Sequence, residues 1–406
     1  MGFRQFVGLI AALMAINAIA IDSMLPALPA IARSLGIAAG NQQQWIVTAY
    51  LLGFGCAQII YGTLADRFGR KRVLLCGLAI YIAASLAAAS ATTIEWLILA
   101  RLVQGVGAAA TRVLAVSIVR DCYSGNQMAR VMSLSFIVFL AVPILAPSIG
   151  QIIMLFGPWR WIFGALAAFA TIVSVWTLLR LPETLHSADR RPISLNGVLS
   201  AYRTTLSSRI AVGYMLAMTL MLGGLFGFIN SAQQVFVDVF AAPKLFTTIF
   251  AGVAMFMALS SFVNARIVGR HGARRVSHAA LLLYIACAAL HVAVAISGHE
   301  TIWSFAIFQA GMMFGFGLCV SNFGSLAMGP LGHVAGTASS VQGFVTTVGG
   351  ALLGFYVGQH FDGTVVPLTL GFLICGLMAL GFVILAEKGR LFGTTTSLGM
   401  VEAAAH

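Results

Sequence analysis

The sequence is poor above all in charge. Only 8% of its 406 residues are Asp, Glu, Lys or Arg, against about 25% in soluble domains, while 60% are hydrophobic and the mean hydropathy is +0.97. So little polar surface cannot cover a water-soluble globule, and the bilayer is read as the solvent. Signatures of catalysis are missing too. There is no H-E-x-x-H, no G-x-S-x-G and no carboxylate pair inside an apolar run, which argues against a membrane enzyme, and no G-x-x-x-x-G-K-[ST], which opposes an ATP-driven pump. The six cysteines (Cys56, Cys76, Cys122, Cys287, Cys319, Cys375) include no C-x-x-C pair and lie in or beside apolar runs, so neither a disulfide framework nor a metal site is expected. The net charge of +12 and a pI near 10.0 point to nucleic acid at first sight. The basic residues nevertheless sit in short loops and form no face interleaved with aromatics, so no nucleic-acid partner is expected.

What is present is a series of apolar runs at about 5–31, 43–63, 73–92, 95–118, 129–156, 159–181, 209–232, 246–268, 276–297, 301–328, 335–359 and 364–386. Each is long enough for a helix of about 20 residues to cross the membrane. The reading is an all-α integral membrane protein of twelve transmembrane helices, numbered here as spans 1 to 12. With a cytoplasmic N-terminus, 18 of the 23 Lys and Arg fall inside and only Arg33, Arg160 and Lys244 outside, which predicts both termini in the cytoplasm. Arg4 before the first run and Ala18-Ile19-Ala20 within it resemble a signal peptide, but eleven further runs follow, so a spanning helix is preferred. The final Glu-Ala-Ala-Ala-His is read as the remnant of a tag.

An internal repeat organises the spans. Gly62-Thr-Leu-Ala-Asp66-Arg67-Phe-Gly69-Arg70-Lys71-Arg72 joins spans 2 and 3, and Asn264-Ala-Arg-Ile-Val-Gly-Arg270-His-Gly272-Ala-Arg274-Arg275 joins spans 8 and 9. Aligning Gly69 with Gly272 superposes Arg67 on Arg270 and Lys71 on Arg274; the two glycines lie 203 positions apart, half the chain. This predicts two pseudo-symmetric six-helix bundles, 1–181 and 209–388, joined by a cytoplasmic linker 182–208 and followed by a tail 389–406. Such duplication places a substrate site at mid-membrane between the halves, open to one side at a time. In the first copy Gly62 and Gly69 permit a tight turn and close helix approach, and Asp66 with Arg67, Arg70 and Lys71 makes a candidate latch on the cytoplasmic side. The plainer alternative is a set of positive-inside anchors. The second copy lacks the acid.

The first loop resembles the G-x-L-x-D-x-x-G-R-[KR] signature of the major facilitator superfamily. Further matches narrow the likeness: Ile21-Asp22-Ser-Met-Leu-Pro26-Ala-Leu-Pro29, Arg120-Asp121 after span 4, Trp159-Arg160-Trp161-Ile-Phe163, Leu181-Pro182-Glu183-Thr184 after span 6, and Ala335-Gly336-Thr337-Ala338-Ser339-Ser340. Together they resemble the Bcr/CflA type of drug:proton antiporter over nearly the whole chain. The resemblance implies a bacterial inner-membrane exporter driven by proton entry, of chloramphenicol- or bicyclomycin-like compounds. Two departures stand out. Span 5 reads Ala146-Pro147-Ser-Ile-Gly150-Gln151 where such antiporters usually carry a second Gly, though Pro147 and Gly150 still allow bending and close packing. Arg112 stands where a small or neutral residue is expected.

Of the eleven acids, Asp22 alone lies well inside a span. Burying a carboxylate costs at least ~2.5–3.5 kcal/mol on insertion scales, so Asp22 is the leading candidate for proton coupling. Arg101 in span 4 falls within roughly 5 Å of the same depth at ~1.5 Å per residue, and is the expected partner. Apolar surroundings favour the neutral acid and a guanidinium the ionised one, so small changes of distance or hydration load and unload the proton. A static ion pair between spans 1 and 4 is the plainer alternative. Pro26 and Pro29 are expected to bend span 1 near the acid, and Gly105 to let helices approach. Arg112, three turns beyond Arg101, either meets an anionic or carbonyl-bearing substrate or reaches the inner headgroups. Tyr50, Gln58, Phe136, Phe139, Phe226, Asn230, Gln233, Gln309 and Gln342 are candidates for a roomy aromatic and amide-lined cavity, while most aromatics at such spacing are ordinary packing. His291 reads as a packed, neutral side chain. The function expected is proton-coupled efflux of small amphiphilic molecules by a monomer whose partners are substrate and lipid, without cofactors; an uptake symporter shares every one of these features.

Overall fold

The computed structural model describes residues 1–37, 40–186 and 202–393. The core of the linker, the end of the tail and the side chain of Phe139 lie outside the described residues. Twelve helices are long and apolar enough to cross a membrane: Phe3–Ser34, Gly40–Phe68, Arg70–Ala89, Ile94–Cys122, Arg130–Phe156, Arg160–Arg180, Arg209–Val239, Pro243–His271, Ala273–Ile296, Ile302–Gly332, Ala335–Gln359 and Val366–Ala386. These are spans 1 to 12, and no strand occurs among the described residues. Helices dominate because a backbone in hydrocarbon must satisfy its own N–H and C=O groups. Large apolar side chains turn outward, with Leu155 and Phe156 each 76% exposed, a surface suited to acyl chains and not to water.

Local chemistry sets the ends. Thr93 caps span 4 by accepting from the backbone of Trp96, and Thr301 with Ser304 forms a capping box for span 10. Spans 2 and 3 meet at one residue, Gly69, and spans 8 and 9 at Gly272; φ is +99° and +80° there, a region a side chain resists. Span 1 is interrupted. Its α-helix ends at Asp22, a 3-10 turn covers Leu25–Ala27, and helix resumes at Leu28–Ser34, with Pro26 and Pro29 each in the first turn of a short piece. Pro143 and Pro147 instead lie within the continuous helix Gly125–Phe156.

Two compact units can be separated, Met1–Val198 with Ile229–Ala251, and Leu199–Phe228 with Gly252–His406. In the first unit span 4 packs on spans 2 and 3, and span 5 on span 1. Glycine makes these approaches close: a side chain at Gly53 or Gly105 would enter the backbone of Leu102 or Tyr50, and one at Gly150 the carbonyl of Ser23. In the second unit span 9 packs on spans 10 and 12.

Candidate functional site

Asp22 sits at the break in span 1, twelve residues from its end at Ser34, and is only 5% exposed. Its carboxyl makes no ion pair and no hydrogen bond with the described residues. The neighbouring Ser23 hydroxyl is also buried without a partner, and the carbonyl of Ser23 lies against Gly150 of span 5. The acid thus occupies the point where span 1 is least regular, beside a close approach of span 5.

Arg101 is fully buried. Its Nε donates to the carbonyl of Ile46 at 3.1 Å and Nη1 to Gln104 Oε1 at 2.6 Å. Gln104 Nε2 in turn donates to Ser85 Oγ at 2.7 Å, and Ser85 to the carbonyl of Tyr81. The guanidinium lies 4.3 Å from the centre of the Tyr50 ring and 5.8 Å from that of Phe163, with Nη2 left without a hydrogen bond. Tyr50 donates its hydroxyl to Asn17 Oδ1 of span 1 at 2.9 Å and stands within electrostatic reach of both Arg101 and Asp22. The expected partnership therefore needs correction in its geometry. Asp22 and Arg101 do not form an ion pair: the guanidinium packs on the Tyr50 ring, whose hydroxyl is bonded to Asn17 of span 1. Depth along the helices was legible from residue counts; the packing ring was not. Asn17, Ser85 and Gln104 are the members that sequence reasoning missed, and polar residues inside otherwise apolar runs were the available signal.

The joint between spans 2 and 3 is a charged knot. Arg70 pairs with Asp66 at 2.6 Å and with Asp121, at the end of span 4, at 3.1 Å. Its backbone N–H, the first of span 3, donates to Glu183 Oε1 at 2.8 Å, so an acid after span 6 caps a positive helix end. Thr184 joins the knot through Asp121, and Lys71 reaches the carbonyl of Leu178. Arg67 turns instead over the ring of Phe68, and Gly62 is an ordinary helical position. Asp121 and Glu183 were visible only as fragments of a family likeness; the structure gives them one shared partner.

The joint between spans 8 and 9 finds an acid elsewhere in the chain. Glu387, just beyond span 12, accepts from Arg274 Nε at 2.8 Å and from the Tyr214 hydroxyl at 2.7 Å. Tyr214 also meets His278 Nε2 at 3.0 Å, and His278 Nδ1 accepts from the Phe392 backbone at 3.0 Å. That last bond makes Nε2 the protonated nitrogen of a neutral ring, which donates to Tyr214 as Tyr214 donates to Glu387.

The proposed cavity residues are scattered. Phe226 packs beneath Gly350 and Gly354, and Gln342 touches Met218 Sδ. Gln58 and Gln309 are buried, Gln309 with neither amide atom bonded, and Phe136 is exposed. Asn230 and Gln233 are better described as helix-to-helix contacts than as cavity wall: Asn230 faces Thr48, and Gln233 accepts from Gln43, beside Gln44 donating to Gln234 at 2.7 Å and Gln234 to Asn41. A cavity of about 490 Å³, lined by Arg203, Thr204, Ser207, Ser208, Pro330 and Leu331, contains none of the expected residues. Arg112, unlike Asp22 and Arg101, is exposed, and it has no hydrogen bond or ion pair among the described residues.

Comparison with known proteins decides the family. The model of the Major Facilitator Superfamily matches residues 10–354. The chain belongs to the Major Facilitator Superfamily. It is a multi-pass membrane transporter and not an enzyme. Within the superfamily it is 30% identical over 352 residues to an uncharacterized MFS-type transporter, YdgK, of Bacillus subtilis, covering 86% of this chain and 87% of that one. It is 28% identical over 349 residues to a bicyclomycin resistance protein homolog of Haemophilus influenzae, with the same two coverages. Among solved structures, the xylose transporter XylE from E. coli superposes with a TM-score of 0.71 at 12% identity, covering 96% and 98% of the two chains, a likeness of fold alone.

Proposed function

We propose that this transporter exports small amphiphilic molecules across the bacterial inner membrane in exchange for protons, as a functional monomer with both termini in the cytoplasm. The observation that carries the reading is Asp22: a buried, unpaired carboxyl at a break in span 1, the one acid of the described residues more than three positions from a span end. Protonated, it is neutral and needs no partner; ionised, it needs water or a cation. Alternating access supplies each in turn. Arg101, held by Ile46, Gln104 and the Tyr50 ring, is a fixed positive charge of span 4 that does not lock the acid in an ion pair. Each 100 mV contributes about 2.3 kcal/mol per charge that crosses, so one proton lifts a neutral solute roughly 50-fold against its gradient. Likeness to a bicyclomycin resistance protein homolog supports drug-like cargo.

The test uses inverted vesicles with a preformed, acid-inside pH gradient. Adding neutral, cationic and anionic amphiphiles in turn is expected to release the gradient with at least one of them, and Asp22→Asn to abolish that release. Release that persists in Asp22→Asn removes the mechanism. A symporter gives no release when the molecule is added outside.

A further inference from the structure

We infer that Arg112 selects the cargo, and that the preferred class is an amphiphile bearing a negative group such as a carboxylate, sulfonate or phosphate. The inference deepens the transport reading and rests on it. Arg112 lies eleven residues after Arg101, which at about 100° per residue brings it to within about 20° of the same face of span 4, roughly 16 Å further along. The exposed apolar residues Leu99, Leu102 and Val103 lie elsewhere around the span, about 80° to 180° from Arg112. Arg101 is sealed inside the unit, whereas Arg112 on the same face is exposed. An exposed guanidinium outside that apolar stripe, on the face that buries Arg101, is open to a polar solute.

Escape to the headgroups is the competing account, and helix geometry opposes it. Each Cα–Cβ bond tilts toward the helix N-terminus, so a side chain covers the turn before its own Cα. Arg112 lies beyond the midpoint of Ile94–Cys122, so its side chain leans back toward the middle of the span, away from the nearer interface. No acid answers it there. Asp66 and Asp121 are taken by Arg70, and Asp22 lies beside Tyr50 at the level of Arg101. A full positive charge held in a membrane protein with accessible space and no protein counter-charge is a fork for a ligand anion, and the five N–H donors of guanidinium fit such groups bidentately.

Purified full-length protein in an uncharged detergent is titrated with fluorescein, an amphiphilic anion, and with ethidium, an amphiphilic cation, by fluorescence anisotropy. Fluorescein is expected to bind at least tenfold tighter than ethidium. Arg112→Gln is expected to weaken fluorescein about tenfold and leave ethidium unchanged or tighter, Arg112→Lys to keep most of the affinity, and Arg120→Gln, at the exposed end of the span, to change neither. Equal or tighter binding of ethidium by the unaltered protein, or no fluorescein binding at all, overturns the inference even where Arg112→Gln does not fold. Fluorescein affinity untouched by Arg112→Gln does so as well. The titration needs no pH gradient. Charge-selective binding that survives a failed proton-release assay therefore indicts the antiport reading, and intact proton release with no anion preference indicts Arg112.

Discussion

The joints between spans 2 and 3 and between spans 8 and 9 share a glycine turn and are fastened by different means. Both turn on one glycine with positive φ and nearly the same ψ, 148° at Gly69 and 150° at Gly272. Both receive an acid from the segment after the sixth span of their repeat, Glu183 in one and Glu387 in the other. The surroundings differ. The first joint is exposed and multiply charged: Asp66 is 45% exposed, Glu183 also faces solvent, and Arg70 serves three acids. The second is buried and sparing: the Glu387 side chain is 2% exposed and holds one arginine and one tyrosine. Exposed ion pairs are weak and readily exchanged, whereas a buried pair is costly to break. The contrast predicts that the first joint is the more easily opened of the two.

Substitutions of the two acids should separate the joints most widely. Glu387→Ala leaves Arg274 and Tyr214 without their acceptor and is expected to destabilise the second unit by about 3–5 kcal/mol, read as a lowered thermal unfolding temperature in detergent. Glu183→Ala, which removes an exposed acceptor for the backbone of Arg70, Thr184 and Leu185, should cost about 1 kcal/mol. Equal losses would erase the distinction between the joints. The glycines sharpen it at smaller cost. Gly69→Ala and Gly272→Ala each force an L-residue into an extended positive-φ region that is essentially glycine-only, about 1–3 kcal/mol. Only at Gly69 does the new methyl also meet a neighbour, the Glu183 carboxylate, so Gly69→Ala should be the more harmful of the two in both unfolding temperature and proton release. The smallest effect on stability is expected from Asp66→Asn, under about 1 kcal/mol and smaller still in high salt, while transport rate changes clearly. A large stability loss with unaltered transport would make Asp66 an anchor and not a latch.

Much of this was open to reading in the sequence, and the reasons are physical. Twelve apolar runs announce twelve helices because hydrocarbon forbids other lipid-exposed backbone, and the positions of Gly69 and Gly272 announce two like turns because few other residues take that φ. Asp22 stood out because charge inside a span is rare. What was illegible is instructive. Glu387 was not among the candidate residues, since nothing local shows that a residue 113 positions from Arg274 folds back against it. Asn230 and Gln233 looked like cavity wall, since an amide in an apolar helix reads the same whether it meets a ligand or another glutamine.

The sequence by itself determined the solvent, the number of helices, the duplicated joint and the one acid worth suspecting, because these follow from composition, spacing and the cost of burying charge, each a local property. Only packing in three dimensions puts the Tyr50 ring on Arg101 in place of Asp22, lets Glu387 complete the second joint, and leaves Arg112 accessible where Arg101 is sealed. Those facts depend on which side chains fill the space between helices. Packing is a property of distant residues brought within a few ångströms, and no run of neighbouring residues records it.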